Sequence, residues 1–125
     1  MKFLINILFT SLILISIPAQ ANDPFKELYS SKGFDVKFIF YSEGTGNRNN
    51  GVVVLLINNN SYKIKYSFDL VFRTPEKEKS VPVAGELNAG EKITGSEDNL
   101  YFLPFDDKSS IGEVGIRKVK VIKLK

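Results

Sequence analysis

The sequence predicts an all-β domain, an antiparallel sandwich of about seven short strands. Three observations carry this. Tyr62, Ile64, Tyr66, Phe68, Leu70 and Phe72 recur with a period of two, alternating with Lys63, Lys65, Ser67, Asp69 and Arg73, with Val71 the exception. A helix would scatter those residues around its circumference, so the segment is a strand with one face in a core and one in water. Turn signals separate short apolar runs at Asn50-Gly51, at Asn58 to Ser61 and at Leu87 to Ile93. The chain has no cysteine, so its stability must come from an apolar core and not from disulfides.

The other elements follow in order. Residues 22–33 read as a short N-terminal helix or a leader: Asp23 can cap it, Pro24 suits its first position, and Gly33 can end it. Phe25, Leu28 and Tyr29 then share one helical face. The sandwich domain is assigned to 34–125. Val36, Phe38 and Phe40 alternate with Lys37, Ile39 and Tyr41 as a strand. Glu43 to Asn50 is a polar, glycine-rich loop, and Val52 to Ile57 is a continuous apolar run, expected to be a strand buried on both sides. Thr74 to Ser80 is a charged loop. Val81-Pro82-Val83 must lie at an edge, because Pro82 cannot donate to a ladder. Leu100 to Phe105 is a further strand. In the last segment Val114 and Ile116 fall on one parity and Val119 and Val121 on the other, which a β-bulge near Arg117-Lys118 reconciles.

Residues 1–21 have the order of a cleavable signal peptide: Lys2, the apolar run Phe3 to Ile17, a break at Pro18, and Ala19-Gln20-Ala21 for the peptidase. The apolar run is short and interrupted for a membrane span, and no later segment is long enough to make one. The expectation is therefore an exported protein, periplasmic or secreted, with no transmembrane segment after cleavage. Abundant Ile, Lys, Asn and Phe suggest an A/T-rich bacterial genome.

The chain carries 17 basic and 14 acidic residues in 125, a net charge of +3. That excess is too small to indicate nucleic acid. Histidine is absent as well as cysteine, which removes the usual ligands of zinc and haem and leaves serine without its usual activating base. No cofactor is expected. The acidic pairs Glu97-Asp98 and Asp106-Asp107 sit in loops without calcium-loop spacing. Gly44, Gly46 and Gly51 fit neither a phosphate-binding nor a dinucleotide template. Asn59-Asn60-Ser61 is a glycosylation sequon, meaningful only in a eukaryotic secretory pathway.

The run GVVVLLINNNS, the alternating strand through Phe68, Leu70 and Phe72, and the turn Leu87-Asn88-Ala89-Gly90-Glu91 together resemble the FxLYD kind of small immunoglobulin-like module over residues 51–105. The namesake tetrapeptide is missing, since Phe68-Asp69-Leu70-Val71 has no tyrosine. The resemblance implies an immunoglobulin-like sandwich that binds or spaces and does not catalyse.

The candidate binding residues are basic. Arg117, Lys118, Lys120 and Lys123 crowd the last strand, and Lys63 and Lys65 add to the solvent face of the long one. Simple alternation puts Lys118 with Lys120 on one face and Arg117 with Lys123 on the other. Such a face suits another protein, an acidic one; the alternative is that the lysines guard an edge strand against pairing. Tyr29, Tyr41, Tyr62, Tyr66 and Tyr101 are interface anchors or core. The expected function is an exported soluble binding module (inhibitor, immunity protein or accessory subunit of an envelope system) and not an enzyme. A carboxylate-dependent envelope hydrolase and a structural or adhesive subunit are the alternatives.

Overall fold

The computed structural model describes residues 23–42, 44 and 49–125; the expected signal segment lies outside them. Among the described residues eight strands follow one another: β1 (Lys26–Ser31), β2 (Phe34–Tyr41), β3 (Gly51–Asn58), β4 (Ile64–Arg73), β5 (Glu78–Leu87), β6 (Lys92–Thr94), β7 (Tyr101–Phe102) and β8 (Glu113–Lys123). The first sheet runs β1-β2-β3-β6, with β7 also against β3, and the second runs β5-β4-β8. Every pairing is antiparallel, so the all-β expectation holds. Val81, Pro82 and Val83 lie in β5, an edge strand.

The core fills the space between the sheets. Phe34, Val36, Phe38, Val52, Val54 and Leu56 face inward from the first sheet, and Ile64, Tyr66, Phe68, Leu70 and Phe72 from the second. Aromatic rings cross the gap: Phe34 stacks on Tyr66 at 5.3 Å and meets Phe68 at 6.2 Å. The tyrosine hydroxyl needs room that Gly85 supplies, because a Cβ there would stand 2.6 Å from it. Burial raises the Tyr66 pKa, with help from the charges of Asp98 and Glu91.

The stretch expected as a short helix is β1, a strand paired with β2. Two features misled the reading. A bulge between Glu27 and Tyr29 breaks the period of two, so the apolar residues take a helix-like spacing. Gly33 is not a helix stop. It is the second residue of a two-residue hairpin turn in which Lys32 and Gly33 both have positive φ, 54° and 72°.

One end of the sandwich is tied by asparagines. Asn58, fully buried at the end of β3, donates through Nδ2 to the carbonyls of Tyr62 and Asn88 at 2.9 Å and of Leu87 at 3.3 Å. Its Oδ1 accepts from the backbone and side chain of Asn60. Asn60 in turn donates to the Lys32 carbonyl, and Asn59 donates to Asp35. Three turns from both sheets are thereby joined. The turn after β5 closes on itself, with Glu91 accepting the Asn88 backbone N–H at 2.8 Å.

The bulge expected in the last strand is present. Ser67 pairs with Lys120 and Asp69 with Arg117, so two residues of β8 oppose one of β4. Lys118 takes the left-handed conformation there, with φ of 59°. This switch in parity lets Val114, Ile116, Val119 and Val121 all pack against the core.

The continuous apolar strand β3 is not buried on both sides. Val52, Val54 and Leu56 are buried, whereas Val53, Leu55 and Ile57 are only half-buried. The first sheet has one packed face, so the alternate residues of β3 meet its outer surface. β-branched residues suit such a half-exposed pleat as well as a core.

Candidate functional site

The six basic candidates all reach the second sheet, and the register of that sheet decides what each can do. Residues opposite one another in a pair share a face. The outer face therefore reads in rows across β5, β4 and β8: Glu78, Arg73, Glu113; Ser80, Val71, Gly115; Pro82, Asp69, Arg117; Ala84, Ser67, Lys120; Glu86, Lys65, Ile122. Arg117 and Lys120 stand on this same face. The simple alternation that separated Arg117 from Lys120 fails because the bulge at Lys118 intervenes.

Three of the six are occupied locally. Lys63 pairs with Glu86 at 3.2 Å. Arg117 reaches Glu78 at 3.9 Å. Lys123 pairs with Ile64, on the core parity, and its Nζ lies 4.6 Å from the centre of the Tyr62 ring. Glu78 is the hub of the upper end: Arg73 holds it at 2.8 Å and also reaches Glu113 at 3.3 Å. Those hydrogen bonds raise the Arg73 pKa and, from the other side, lower that of Glu78. Val71, only 3 % exposed on the outer face, sits in the row between these two arginines. Their aliphatic stems are suited to cover it.

Lys65, Lys118 and Lys120 are left. None pairs with a carboxylate among the described residues. Lys118 and Lys120 line an open depression whose other walls are Ser67, Phe68, Asp69, Pro82, Val83 and Ala84. Lys65 stands one row further along, on the diagonal from Lys120. Asp69 stands opposite Arg117, and Glu86, opposite Lys65, is paired with Lys63, so the three lysines outnumber the carboxylates beside them. Two sequence features build the site: the bulge that adds a residue beside Lys120, and Pro82, which removes a donor from the neighbouring edge.

The acidic pairs are engaged in their own loops. Asp98 accepts the Thr94 backbone N–H from a 3-10 turn at Ser96–Asp98. Asp107 pairs with Lys77 and accepts from Ser109, and these contacts lower its pKa from 3.8 to about 2. The tyrosines divide. Tyr66 is core, and Tyr29 and Tyr62 pack at the core margin. Tyr41, 49 % exposed, meets Tyr101 edge-on at 5.5 Å on the outer face of the first sheet. That face was missed from sequence. Ile39, Val53, Leu55 and Ile57 share it, and the signal was the odd-numbered residues of β3.

The chain matches no family model, no curated protein and no solved structure. No helix among the described residues is long and apolar enough to cross a membrane.

Proposed function

We propose that this chain is an exported binding module, periplasmic or secreted, that works through contact with an acidic protein. Lys65, Lys118 and Lys120 on the outer face of the second sheet form its contact surface. The observation that carries the reading is the contrast among the six cations: three are satisfied by neighbours and three adjacent ones are not. Like charges held together on a rigid strand repel one another, and an anionic partner relieves that repulsion. The strained backbone at Lys118 adds weight, since a left-handed non-glycine residue costs stability and is kept where it aims a side chain. Export rests on the signal-like order of residues 1–21.

The test is capture from an envelope extract by the wild-type protein and by Lys118→Glu/Lys120→Glu. The expected result is one stoichiometric acidic partner held by the wild type and lost by the variant, with the variant's melting temperature unchanged. Salt should slow the association more than it speeds release, because steering by exposed charge acts over roughly 8 Å at physiological ionic strength. Equal capture by both proteins, or aggregation of the variant with capture retained, would make the lysines edge guards and end the proposal.

A further inference from the structure

From the outer face of the first sheet, opposite the basic site and independent of it, we infer that a second copy of this chain docks there, related by a two-fold axis running along β3. The face is apolar along its middle: Val53, Leu55 and Ile57 project from β3, with Ile39 of β2 beside Val53 and Tyr101 of β7 on the other side of it. Sheet faces that meet only water carry polar side chains at these positions, as the second sheet does. Such a stripe suits another sheet, since sheets pack face to face with their strands within about 30° of one another.

The flanks of the stripe identify the occupant. At the level of Ile57, Asp35 lies on the β2 side and Lys92 on the β6 side. At the level of Leu55 the flanks are Lys37 and Thr94; at Val53 they are Ile39 and Tyr101. A two-fold axis along β3 preserves each level and exchanges the two sides. It therefore sets Asp35 of each copy against Lys92 of the other, Lys37 against Thr94, and Ile39 against Tyr101. The Asp35–Lys92 and Ile39–Tyr101 rows are complementary to themselves, as an isologous interface requires, and in the row between them Lys37 keeps its own partner, Asp23, at 3.7 Å. An axis across the strands would instead lay Asp35 over the apolar Ile39 end. Asp35 is held ready by its neighbours: Ser30 Oγ donates to one oxygen at 2.6 Å and Asn59 Nδ2 to the other at 2.9 Å. Lys92 pairs with no carboxylate among the described residues.

Sedimentation equilibrium of the purified protein tests this. The wild type should sediment with the mass of two chains. Leu55→Glu should sediment as one chain that still unfolds in one cooperative transition. Lys92→Asp alone and Asp35→Lys alone each bring like charges together and should also sediment as single chains. Mixed in equal amounts they should recover the two-chain mass, because only the mixed pair restores opposite charges at both contacts. Asp35→Lys also removes the acceptor for Ser30 and Asn59; if it does not fold, Lys92→Ala decides, and should raise the self-dissociation constant about fivefold. A wild type that stays a single chain at the highest concentration it tolerates overturns the inference. So does a two-chain mass untouched by Leu55→Glu, and so does a mixture of folded charge variants that fails to associate.

Discussion

The two outer faces of this sandwich are built from the same strand geometry and carry opposite chemistry. On the second sheet the outward positions of β4 are Lys65, Ser67, Asp69, Val71 and Arg73, and Arg73 at one end of the row pairs with Glu78 of β5 and Glu113 of β8. On the first sheet the outward positions of β3 are Val53, Leu55 and Ile57, and charge is confined to the flanks. Inward, both strands contribute the same thing, a row of buried apolar side chains. Burial of one face fixes the fold, and it leaves the other face free to carry whatever function selects. Apolar residues along a strand therefore mark a core only when their partners in the alternation are polar.

The largest expected effect lies on the inward face, where the two sheets agree. Phe68→Ala should cost about 3–5 kcal/mol, a large share of the roughly 5–15 kcal/mol of a small domain. Its neighbour Ser67→Ala, on the outer face, should stay within about 0.5 kcal/mol. Thermal or denaturant melts of the pair measure the difference, and equal midpoints would mean that β4 is turned the other way.

Next comes β3, where the sequence and the structure part. Leu56→Ala should cost about 2–5 kcal/mol, as a fully buried leucine does. Leu55→Ala, from the half-buried outer face, should cost well under half as much when measured at a protein concentration low enough to keep the chains apart. If β3 were buried on both sides, the two costs would match.

How much of this was legible follows from the same contrast. The alternation in β4 spelled out both its faces, because polar and apolar residues take turns there. The bulge at Lys118 was legible too, since Val114, Ile116, Val119 and Val121 cannot share one face without an extra residue. In β1 the bulge worked the other way. It disguised a strand as a helix, because the two half-buried residues, Leu28 and Tyr29, are consecutive and do not alternate with polar ones. The basic cluster was visible as residues but not as a site. Which cations stay unpaired depends on Glu78 and Glu86, which come from β5 and reach Arg117 of β8 and Lys63, just before β4, only through the register of the folded sheet. The asparagine tie was read only as a turn, since its partners Leu87 and Asn88 lie about thirty residues away in the chain.

A smaller effect separates strain from recognition at the outer face of the second sheet. Lys118→Gly removes the cost of a left-handed side-chain-bearing residue, about 1–2 kcal/mol at most, and offsets part of it with glycine's greater freedom when unfolded. The variant should melt at or slightly above the wild type and bind the acidic partner more weakly. Lys118→Ala should bind as weakly but gain no stability. A glycine variant that melts lower would show that the lysine side chain supports the bulge.

The smallest effect belongs to charge alone. Asp107 joins the crossing segment between the sheets to the β4–β5 turn through Lys77, which also lies 5.2 Å from the Phe105 ring centre. Its carboxyl is held near 2, below its ordinary 3.8, first by the Lys77 hydrogen bond and then by those from Ser109. Because the folded value is the lower one, folding favours the carboxylate. The contribution is therefore complete above about pH 3.8 and disappears as the pH falls through about 2. Asp107→Asn should melt lower than the wild type at neutral pH, and the two curves should converge across that acid window. The pair is exposed, so salt should shrink the gap at neutral pH. A gap that persists at pH 2, or that salt leaves unchanged, would mean that Asp107 acts through its shape in the turn and not through its charge.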